Sequence, residues 1–322
     1  MMPPDQPESL RAAIARIRDD RNHGASWLAR EAAVALAEAS VPGTLGNDEE
    51  RLERLRQAAR ALATTRPSMA ALTNTVARIW SATPSTEGTD GETSAASARL
   101  RALHDAAEAQ LRAWDEASAA IYRHARPLLR GILFSHSRSG TVEQVLTRYA
   151  AEQRVQGTQG YALPALWLTE SRPGGEGVAL ARVLAPIGWQ ITLIADAAVG
   201  MFVREAAAVL VGADSIRTDG VVNKVGTYPL ALAAQRAGVP MFVLAESVKI
   251  AALSAPLVLE VMDPRELLPE PVPAVAARNP YFELTPPELV TATITERGRL
   301  SRQDIAASAR DVERNLAFLL SS

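Results

Sequence analysis

The first 128 residues repeat apolar side chains at spacings of three and four and contain few β-branched runs. This pattern is typical of amphipathic helices. Gly24 and Ser26 indicate a turn followed by a helix start, and Asp48 and Pro67 are further candidate starts. Residues 84–96 are small and polar, so we expect a mobile surface loop there. The pattern predicts helices over residues 8–20, 26–39, 48–65, 67–82 and 97–126.

After Pro127 the pattern changes to short apolar runs that alternate with helical stretches. Such alternation predicts βαβ units and a parallel sheet. We therefore expect an α/β protein in which a helical domain, residues 1–128, precedes a Rossmann-like domain with a mostly parallel sheet, residues 129–322. The predicted strands cover residues 131–135, 165–169, 191–195, 207–212, 241–245 and 257–261.

The predicted strands before residue 250 all run into polar residues at their carboxyl ends. Ligands of open parallel sheets bind outside this edge. For any single residue, a role in capping the following helix is the simpler explanation. Their convergence on one edge favours a binding site. The residues are Ser135–Ser137, Glu170–Arg172, Asp196, Asp214 and Glu246–Ser247.

The segment 211–227 combines Asp214 with Asn223 and Lys224, which precede a helix start at Gly226. Backbone N–H groups at a helix start, together with a lysine, form a phosphate cradle. The alternative is an ordinary Gly-Thr helix start with an incidental lysine. The presence of Asp214 in the same segment favours the phosphate cradle over the ordinary helix start.

Two further loops could bind an anion. The segment 135–141, with His136, Ser137 and Ser139, resembles an anion-binding nest more than a catalytic triad, because no G-x-S-x-G elbow is present. A lone histidine at a strand end is also commonly structural. Arg172 could clamp a phosphate, or it could pair with Glu170 or Glu176. The sequence contains no G-x-G-x-x-G fingerprint and no Walker A loop.

Composition restricts the possible partners. The formal charge of −2 gives no overall field for nucleic acid or an anionic membrane. No apolar run reaches the ~18 residues of a membrane helix, and the first residues lack the apolar core of a secretory signal. No cysteine is present, and the four histidines show no metal-binding spacing. We expect a cytoplasmic protein that contacts neither nucleic acid nor membrane and needs no metal or cofactor.

Several segments, in order along residues 130–300, resemble one known family. This family joins the α, β and δ regulatory subunits of eukaryotic translation initiation factor 2B to methylthioribose-1-phosphate isomerase and ribose-1,5-bisphosphate isomerase. HGAS at 23–26 and TRPSMAALTN at 65–74 extend the resemblance into the helical region. The carrying segments are SHSRSGTVEQVL, TESRPGGEG, IADAAVGMF, VGADSIRTDGVVNKVGT, VLAESVKI and NPYFELTPPELVTATITERG.

The resemblance implies roles for individual residues. Asp214 matches the general acid that protonates the sugar ring oxygen. The isomerases have a cysteine where this chain has Ser137, after His136. A serine hydroxyl is a much weaker acid than a thiol and cannot supply a resting anionic base. The implied ligand-binding residues are Gly24, Ala25, Arg66, Asn223, Lys224 and Lys249, beside Ser139 and Arg172 of the two loops.

Three functions are consistent with these residues. The sequence favours a protein related to initiation factor 2B that binds a phosphorylated sugar or nucleotide without standard isomerase chemistry. The alternative is an aldose-ketose isomerase for a pentose 1-phosphate, in which Asp214 is the general acid and His136 or another group replaces the cysteine. A third is an assembly subunit with a vestigial pocket. The resemblance implies a homo-oligomer, a dimer or larger, and residues 280–320 could bury an apolar face against a second copy. Within them, TPPELVTATITERG reads as a helix begun by proline.

Overall fold

The computed structural model describes residues 8–20, 24–41, 47–66, 68–82, 95–155 and 163–321. The chain divides into two compact units. The helical unit comprises Met1–Asp115, Val248–Pro256 and Ala306–Ser322. The α/β unit comprises Glu116–Ser247 and Leu257–Ile305. A boundary between separately folding domains at residue 128 stays a prediction.

The helices of the helical unit follow the apolar periodicity. Asn47 caps the third helix by accepting a hydrogen bond from the Glu49 N–H at 2.9 Å, and three acidic residues then face the positive end of the helix dipole. The second helix presents fully buried alanines that allow close packing against the first and fourth. The elements are α1 (Glu8–Asp19), α2 (Ala25–Ala39), α3 (Asp48–Thr65), α4 (Ala70–Ser81) and α5 (Ala95–Ala125).

The helical unit departs from the predicted boundaries at two places. Pro67 lies outside the described residues, and α4 begins at Ala70, so its predicted start at residue 67 was early. Most of the predicted loop, residues 84–94, also lies outside the described residues, whereas residues 95 and 96 belong to α5.

Two later segments of the chain join the helical unit through side-chain hydrogen bonds. The Asn74 amide, 2% exposed, donates to the carbonyl oxygens of Val248 and Ile250, both at 2.6 Å. Arg60 donates to the carbonyl oxygens of Leu319 and Leu320, the latter at 2.9 Å. Lys249 is thereby fixed in the helical unit.

The α/β unit contains a seven-stranded sheet in its described residues. Its strands are β1 (Leu133–Ser135), β2 (Ala165–Thr169), β3 (Gln190–Ile194), β4 (Ala208–Val211), β7 (Met241–Leu244), β9 (Ala292–Thr295) and β10 (Gly298–Leu300). The order is β10-β9-β7-β4-β1-β2-β3, and every pairing is parallel except that of the edge strand β10. This arrangement confirms the predicted α/β fold with a mostly parallel sheet.

Helices connect and cover these strands. A core of buried leucines from the strands packs against residues such as Leu146 and Leu180 of the covering helices. Because the parallel strands share one direction, their carboxyl ends meet at one edge. The helices are α6 (Gly140–Val155), α7 (Glu176–Leu184), α8 (Val199–Phe202) and α9 (Thr227–Ala237). The last helix, α10 (Arg302–Ser321), follows β10 and belongs mostly to the helical unit. None of the described helices is long and apolar enough to cross a membrane.

A second, antiparallel sheet of three strands follows β4 in the chain: β5 (Ser215–Arg217), β6 (Gly220–Lys224) and β8 (Phe282–Thr285). Strand β6 lies in the middle and pairs with both neighbours. Asn223 is opposite Glu283, and Lys224 is opposite Phe282. Strands β5 and β6 lie in residues 211–227, which the sequence pattern had predicted to be a loop.

Two predicted elements were wrong. Residues 257–261 form no strand beyond an isolated bridge from Val261 to Pro280, because this apolar run is exposed, with Val261 69% accessible. The predicted helix in TPPELVTATITERG is instead a short 3-10 turn at Pro287–Leu289 followed by β9 and β10. Four of the five residues from Thr291 to Thr295 are β-branched, which explains the strand.

Candidate functional site

The carboxyl edge of the seven-stranded sheet consists of the residues that follow its parallel strands. It includes residues 136–139 after β1, 170–177 after β2, 195–196 after β3, 212–214 after β4 and 245–247 after β7. The polar residues that the sequence predicted at all five strand ends therefore lie in the same unit and at the same edge.

His136 is 2% exposed and uses both ring nitrogens. Nε2 lies 2.8 Å from the carbonyl oxygen of Val225, which can only accept, so Nε2 carries the proton. Nδ1 therefore accepts a hydrogen bond from the Thr169 hydroxyl at 2.6 Å. Burial lowers the pKa of His136, so the ring is neutral at physiological pH. This geometry favours the structural interpretation of His136 over a catalytic base.

A chain of hydrogen bonds runs from His136 through Thr169 and Ser171 to Ser137. The Thr169 hydroxyl, which donates to His136, can accept from the Ser171 hydroxyl at 3.0 Å. Ser171 Oγ in turn accepts from the backbone N–H of Ser137 at 2.8 Å. We call the chain from Val225 through His136, Thr169 and Ser171 to Ser137 the His136 network. It fixes the backbone of Ser137.

Both serines of this network have left-handed backbones, with φ of 64° at Ser137 and 62° at Ser171. Such angles are unfavourable for residues with a Cβ atom and persist only where the surroundings hold them. Asp196 supplies part of that support, because its carboxylate accepts from the N–H groups of Ser171 at 2.8 Å and Arg172 at 2.7 Å. Asp196 therefore stabilises the turn after β2.

Gly226 is required beside the His136 ring. Its φ of 105° lies in the left-handed region, and a Cβ atom built there would stand 2.5 Å from His136 Cε1. Any side chain at residue 226 would have to displace the imidazole. The start of α9 and the His136 network are therefore packed against each other.

Asp214 and Glu246 follow neighbouring strands at equivalent positions. Strands β4 and β7 pair with Val211 opposite Val243, and each carboxyl residue comes three positions later. Asp214 is half-buried, and its N–H donates to Val222 at 2.9 Å. Glu246 is 8% exposed and accepts from the Thr141 hydroxyl at 3.0 Å. The turns after β4 and β7 thus each place a carboxyl group at this edge.

Lys224 is buried in an ion pair. It is 3% exposed, and its Nζ contacts Glu176 Oε1 and lies 3.5 Å from the centroid of the Tyr281 ring. The Tyr281 hydroxyl donates to the same oxygen, Glu176 Oε1. Burial lowers the pKa of Lys224, with Glu176 opposing that shift, and burial raises the pKa of Tyr281. We call Glu176, Lys224 and Tyr281 the Glu176 cluster.

The helix start after Lys224 differs from the predicted phosphate cradle. The Glu283 carboxylate accepts from the backbone N–H groups of Gly226 at 2.6 Å and Tyr228 at 2.8 Å. Burial raises the pKa of Glu283, and these hydrogen bonds oppose the rise. Asn223, 6% exposed, donates to the Thr227 hydroxyl at 2.9 Å. The protein's own carboxylate therefore occupies the donors that the sequence suggested for phosphate.

Ser139 and Arg172 differ in their surroundings. The Ser139 carbonyl and hydroxyl accept from N–H groups in the first turn of α6, at 2.9 and 3.4 Å. A Cβ atom at Gly212 would lie 2.2 Å from Ser139 Oγ, so Ser139 packs directly against the end of β4. Arg172 is exposed, and in the described ranges its guanidinium pairs with neither Glu170 nor Glu176.

The remaining predicted contacts belong to the helical unit. Gly24 is the N-cap of α2, and Ala25 is its first residue. Arg66 is 7% exposed and donates to the Asp20 carbonyl at 2.8 Å, joining the ends of α3 and α1. Lys249 is 4% exposed at the end of a 3-10 turn. Their roles as ligand contacts stay predictions.

Three residues at or near the edge were not predicted as site residues. Glu176 was considered only as a partner for Arg172, and Tyr281 and Glu283 were not singled out. Glu176 could have been noticed as an acid at the first helical position after Gly-Gly. Tyr281 and Glu283 lie more than 50 residues from their partners, so no local pattern reveals them. No cluster that could hold a metal ion is found within the described part of the chain.

The fold and the polar edge define a Rossmann-like α/β protein with a helical unit. The sequence matches the profile of the Initiation factor 2 subunit family over residues 21–302. Because this match covers most of the chain, the protein belongs to that family, and the resemblance seen in the sequence is confirmed.

Relatives within the family have two kinds of name. Ribose 1,5-bisphosphate isomerase of Archaeoglobus fulgidus is 30% identical over 91% of this chain and 90% of its own length. A putative translation initiation factor eIF-2B subunit 2-like protein of Pyrococcus horikoshii is 34% identical over 91% of this chain and 96% of its own. A crystal structure of the Pyrococcus horikoshii OT3 translation initiation factor eIF-2B has a TM-score of 0.71 and 31% identity, covering 91% of this chain and 97% of that one.

Proposed function

We propose that this protein is an aldose-ketose isomerase acting on a phosphorylated pentose at the carboxyl edge. The observation that carries the proposal is Asp214, a half-buried carboxyl residue after the central strand β4, next to the strand that precedes Ser137. The isomerase names of relatives that align along most of the chain support the same function. This reverses the preference drawn from the sequence alone.

Asp214 would act as the general acid. The ring of a pentose 1-phosphate opens when the ring oxygen takes a proton and its bond to C1 breaks, which leaves a cationic C1 bearing the phosphate oxygen. Hydrogen on C2 can then move to C1 with its electron pair. The C2 oxygen forms a carbonyl and returns its proton to the Asp214 carboxylate. This route needs one acid-base group and no base at C2.

The route agrees with the residues at β1. His136 has both nitrogens engaged and is held neutral, so it has no free lone pair for a C2 proton. The Ser137 hydroxyl is too weak an acid to supply a resting anion. Transfer of hydrogen from C2 to C1 without exchange is therefore the chemistry that these side chains support best.

A second candidate is ligand binding without turnover, and Ser137 favours it. A serine replaces the cysteine that the resemblance assigns to the isomerases, while the edge keeps Asp214, Asn223 and Lys224. In this case the protein would bind a phosphorylated sugar or nucleotide and signal its presence. Homo-oligomer formation, a cytoplasmic location and contacts from Gly24, Ala25, Arg66 and Lys249 belong to both proposals.

An NMR assay separates the two candidates. Purified protein at high concentration is incubated with ribose 1-phosphate, ribose 1,5-bisphosphate or methylthioribose 1-phosphate, and ketose formation is followed. Appearance of a ketose supports the isomerase. Absence of turnover, combined with a rise in melting temperature on adding the same sugars, would replace it with the binding function.

A further inference from the structure

The two carboxylate oxygens of Glu176 differ in their partners among the described residues. Oε1 accepts from both Lys224 and Tyr281, whereas Oε2 is buried and has no hydrogen-bond partner among the described residues. An unpaired buried acceptor costs about 1–3 kcal/mol. Such a group in a native structure calls for an explanation, and a bound ligand is one.

The surroundings hold Glu176 in place. Lys224 and Tyr281 fix Oε1, and the Tyr281 hydroxyl stays a donor because burial raises the pKa of its phenol. Gly174 lies against the carboxylate, since a Cβ atom there would stand 2.6 Å from Oε1 and 2.8 Å from Cδ. The carboxylate is therefore confined between the turn after β2 and the Tyr281 ring.

Charge decides which ligand group fits beside Oε2. The positive charge of Lys224 is already balanced by Glu176. A phosphate is close to dianionic at neutral pH, accepts but does not donate hydrogen bonds in that form, and would be repelled by the carboxylate. A sugar hydroxyl is neutral and can donate to Oε2.

We propose that Glu176 is a specificity-determining residue, whose Oε2 accepts a hydrogen bond from a ligand hydroxyl and which prevents a phosphate from reaching Lys224. The preferred ligand is then a pentose with a single phosphate rather than a bisphosphate. The inference rests on the proposed function for the ligand class, although it concerns binding and does not require turnover.

Binding of two sugars tests the proposal in the full-length protein. Dissociation constants are measured for ribose 1-phosphate and ribose 1,5-bisphosphate by thermal shift and by calorimetry. We expect the wild type to bind the monophosphate roughly tenfold more tightly, as expected for a repulsion of one partly screened charge. In Glu176→Gln the amide removes the charge, and the bisphosphate should gain at least roughly tenfold in affinity.

Glu143→Gln is the matched control. Glu143 is also a first-turn helix glutamate in an ion pair, with Arg138 at 2.7 Å, but that arginine is exposed. The Glu143→Gln variant should keep the wild-type ratio of the two dissociation constants. Tighter binding of the bisphosphate by the wild type, an unchanged ratio in Glu176→Gln, or no binding of either sugar would each overturn the proposal. A wild type that prefers the bisphosphate overturns the proposal by itself, so the proposal can be refuted even if the variant folds poorly.

Turnover is measured separately by NMR on the same samples. No turnover with a preserved preference for the monophosphate would remove the isomerase function and leave the role of Glu176 standing. Faster turnover of the bisphosphate, judged by kcat/KM, would overturn the role of Glu176 and leave the isomerase function standing.

Discussion

The two polar groups of the carboxyl edge, the His136 network and the Glu176 cluster, differ in how completely the protein satisfies them. In the network, each ring nitrogen and the Thr169 and Ser171 hydroxyls have partners within the α/β unit. In the cluster, Glu176 Oε2 is buried without a partner among the described residues. Each group contains a polar residue that follows a parallel strand, His136 after β1 and Glu176 after β2, so position in the sheet does not distinguish them.

This difference separates structural from ligand-directed residues. A satisfied network gains from rigidity and is costly to disturb, whereas an unsatisfied acceptor is stabilised when a ligand supplies a donor. We therefore expect changes in the network to alter stability and changes around Asp214 and Glu176 to alter turnover and ligand preference.

Among the residues expected to act on the ligand, Asp214 should matter most, and Asp214→Asn should cause the largest change in turnover. An amide of nearly the same shape cannot give its proton to the ring oxygen, so turnover should fall by roughly 10²–10⁴-fold. The melting temperature should stay close to that of the wild type. Ketose formation measured by NMR provides the readout.

Asp219→Asn is the matched control for that substitution. Asp219 lies in the same segment, is 53% exposed and pairs with Arg217, so its turnover should match the wild type. If Asp214→Asn turned over sugar as fast as this control, Asp214 would not be the general acid.

Among the residues packed around the His136 network, Gly226→Ala should cause the largest loss of stability. The methyl group would stand 2.5 Å from His136 Cε1, and the φ of 105° is unfavourable for alanine. Overpacking and backbone strain together should cost about 2–4 kcal/mol in the free energy of unfolding. Urea denaturation followed by circular dichroism measures it.

The other end of α9 offers a control. Gly238 also has a positive φ, 72°, but a Cβ atom there would meet no atom of the described residues within 4 Å. Gly238→Ala should therefore cost only about 1 kcal/mol, from backbone strain alone. Equal losses from the two alanines would mean that contact with His136 contributes nothing.

The strand-end residues could be predicted from the sequence, whereas the Glu176 cluster could not. Strands such as β2 and the positions of Asp214 and Ser137 at strand ends follow from local apolar runs and the rule for parallel sheets. The cluster could not be predicted, because Lys224 and Tyr281 meet Glu176 only when β6 and the turn before β8 approach the end of β2. The segment of strand β9 was predicted as a helix because Pro286 and Pro287 resemble a helix start, although the residues that follow them are mostly β-branched.

Ser137→Cys should raise turnover, by about tenfold. A cysteine fits the serine position with little change in shape, and its thiolate can act as a base at C2 where the serine hydroxyl cannot. The mechanism should change as well. In D₂O the wild-type product should retain the C2 hydrogen at C1, whereas the variant product should contain deuterium.

Ser139→Cys is the control for adding a thiol to the same loop, and its product should show no added deuterium. Deuterium in the wild-type product would contradict direct hydrogen transfer and require a base at C2 in the native protein. Unchanged turnover and labelling in Ser137→Cys would indicate that the Ser137 side chain does not face the sugar.

The smallest expected effect is the pH dependence contributed by His136. Burial lowers its pKa from the ordinary 6.5, so the unfolded chain takes up a proton near that pH while the folded protein does not. The stability linked to His136 is therefore complete above about pH 6.5 and falls as the pH is lowered, with a slope of at most about 1.4 kcal/mol per pH unit.

Comparison with His136→Asn isolates this contribution, because Asn does not titrate. The free energy of unfolding in urea should fall more steeply between pH 7 and pH 5 in the wild type than in the variant, even though the variant is less stable throughout. Glu283 has a raised pKa, so its contribution has the opposite sign, but it is present in both proteins and cancels in the difference. Equal slopes would show that His136 accepts a proton in the folded state, in which case the network would not be closed and His136 would again be a candidate base.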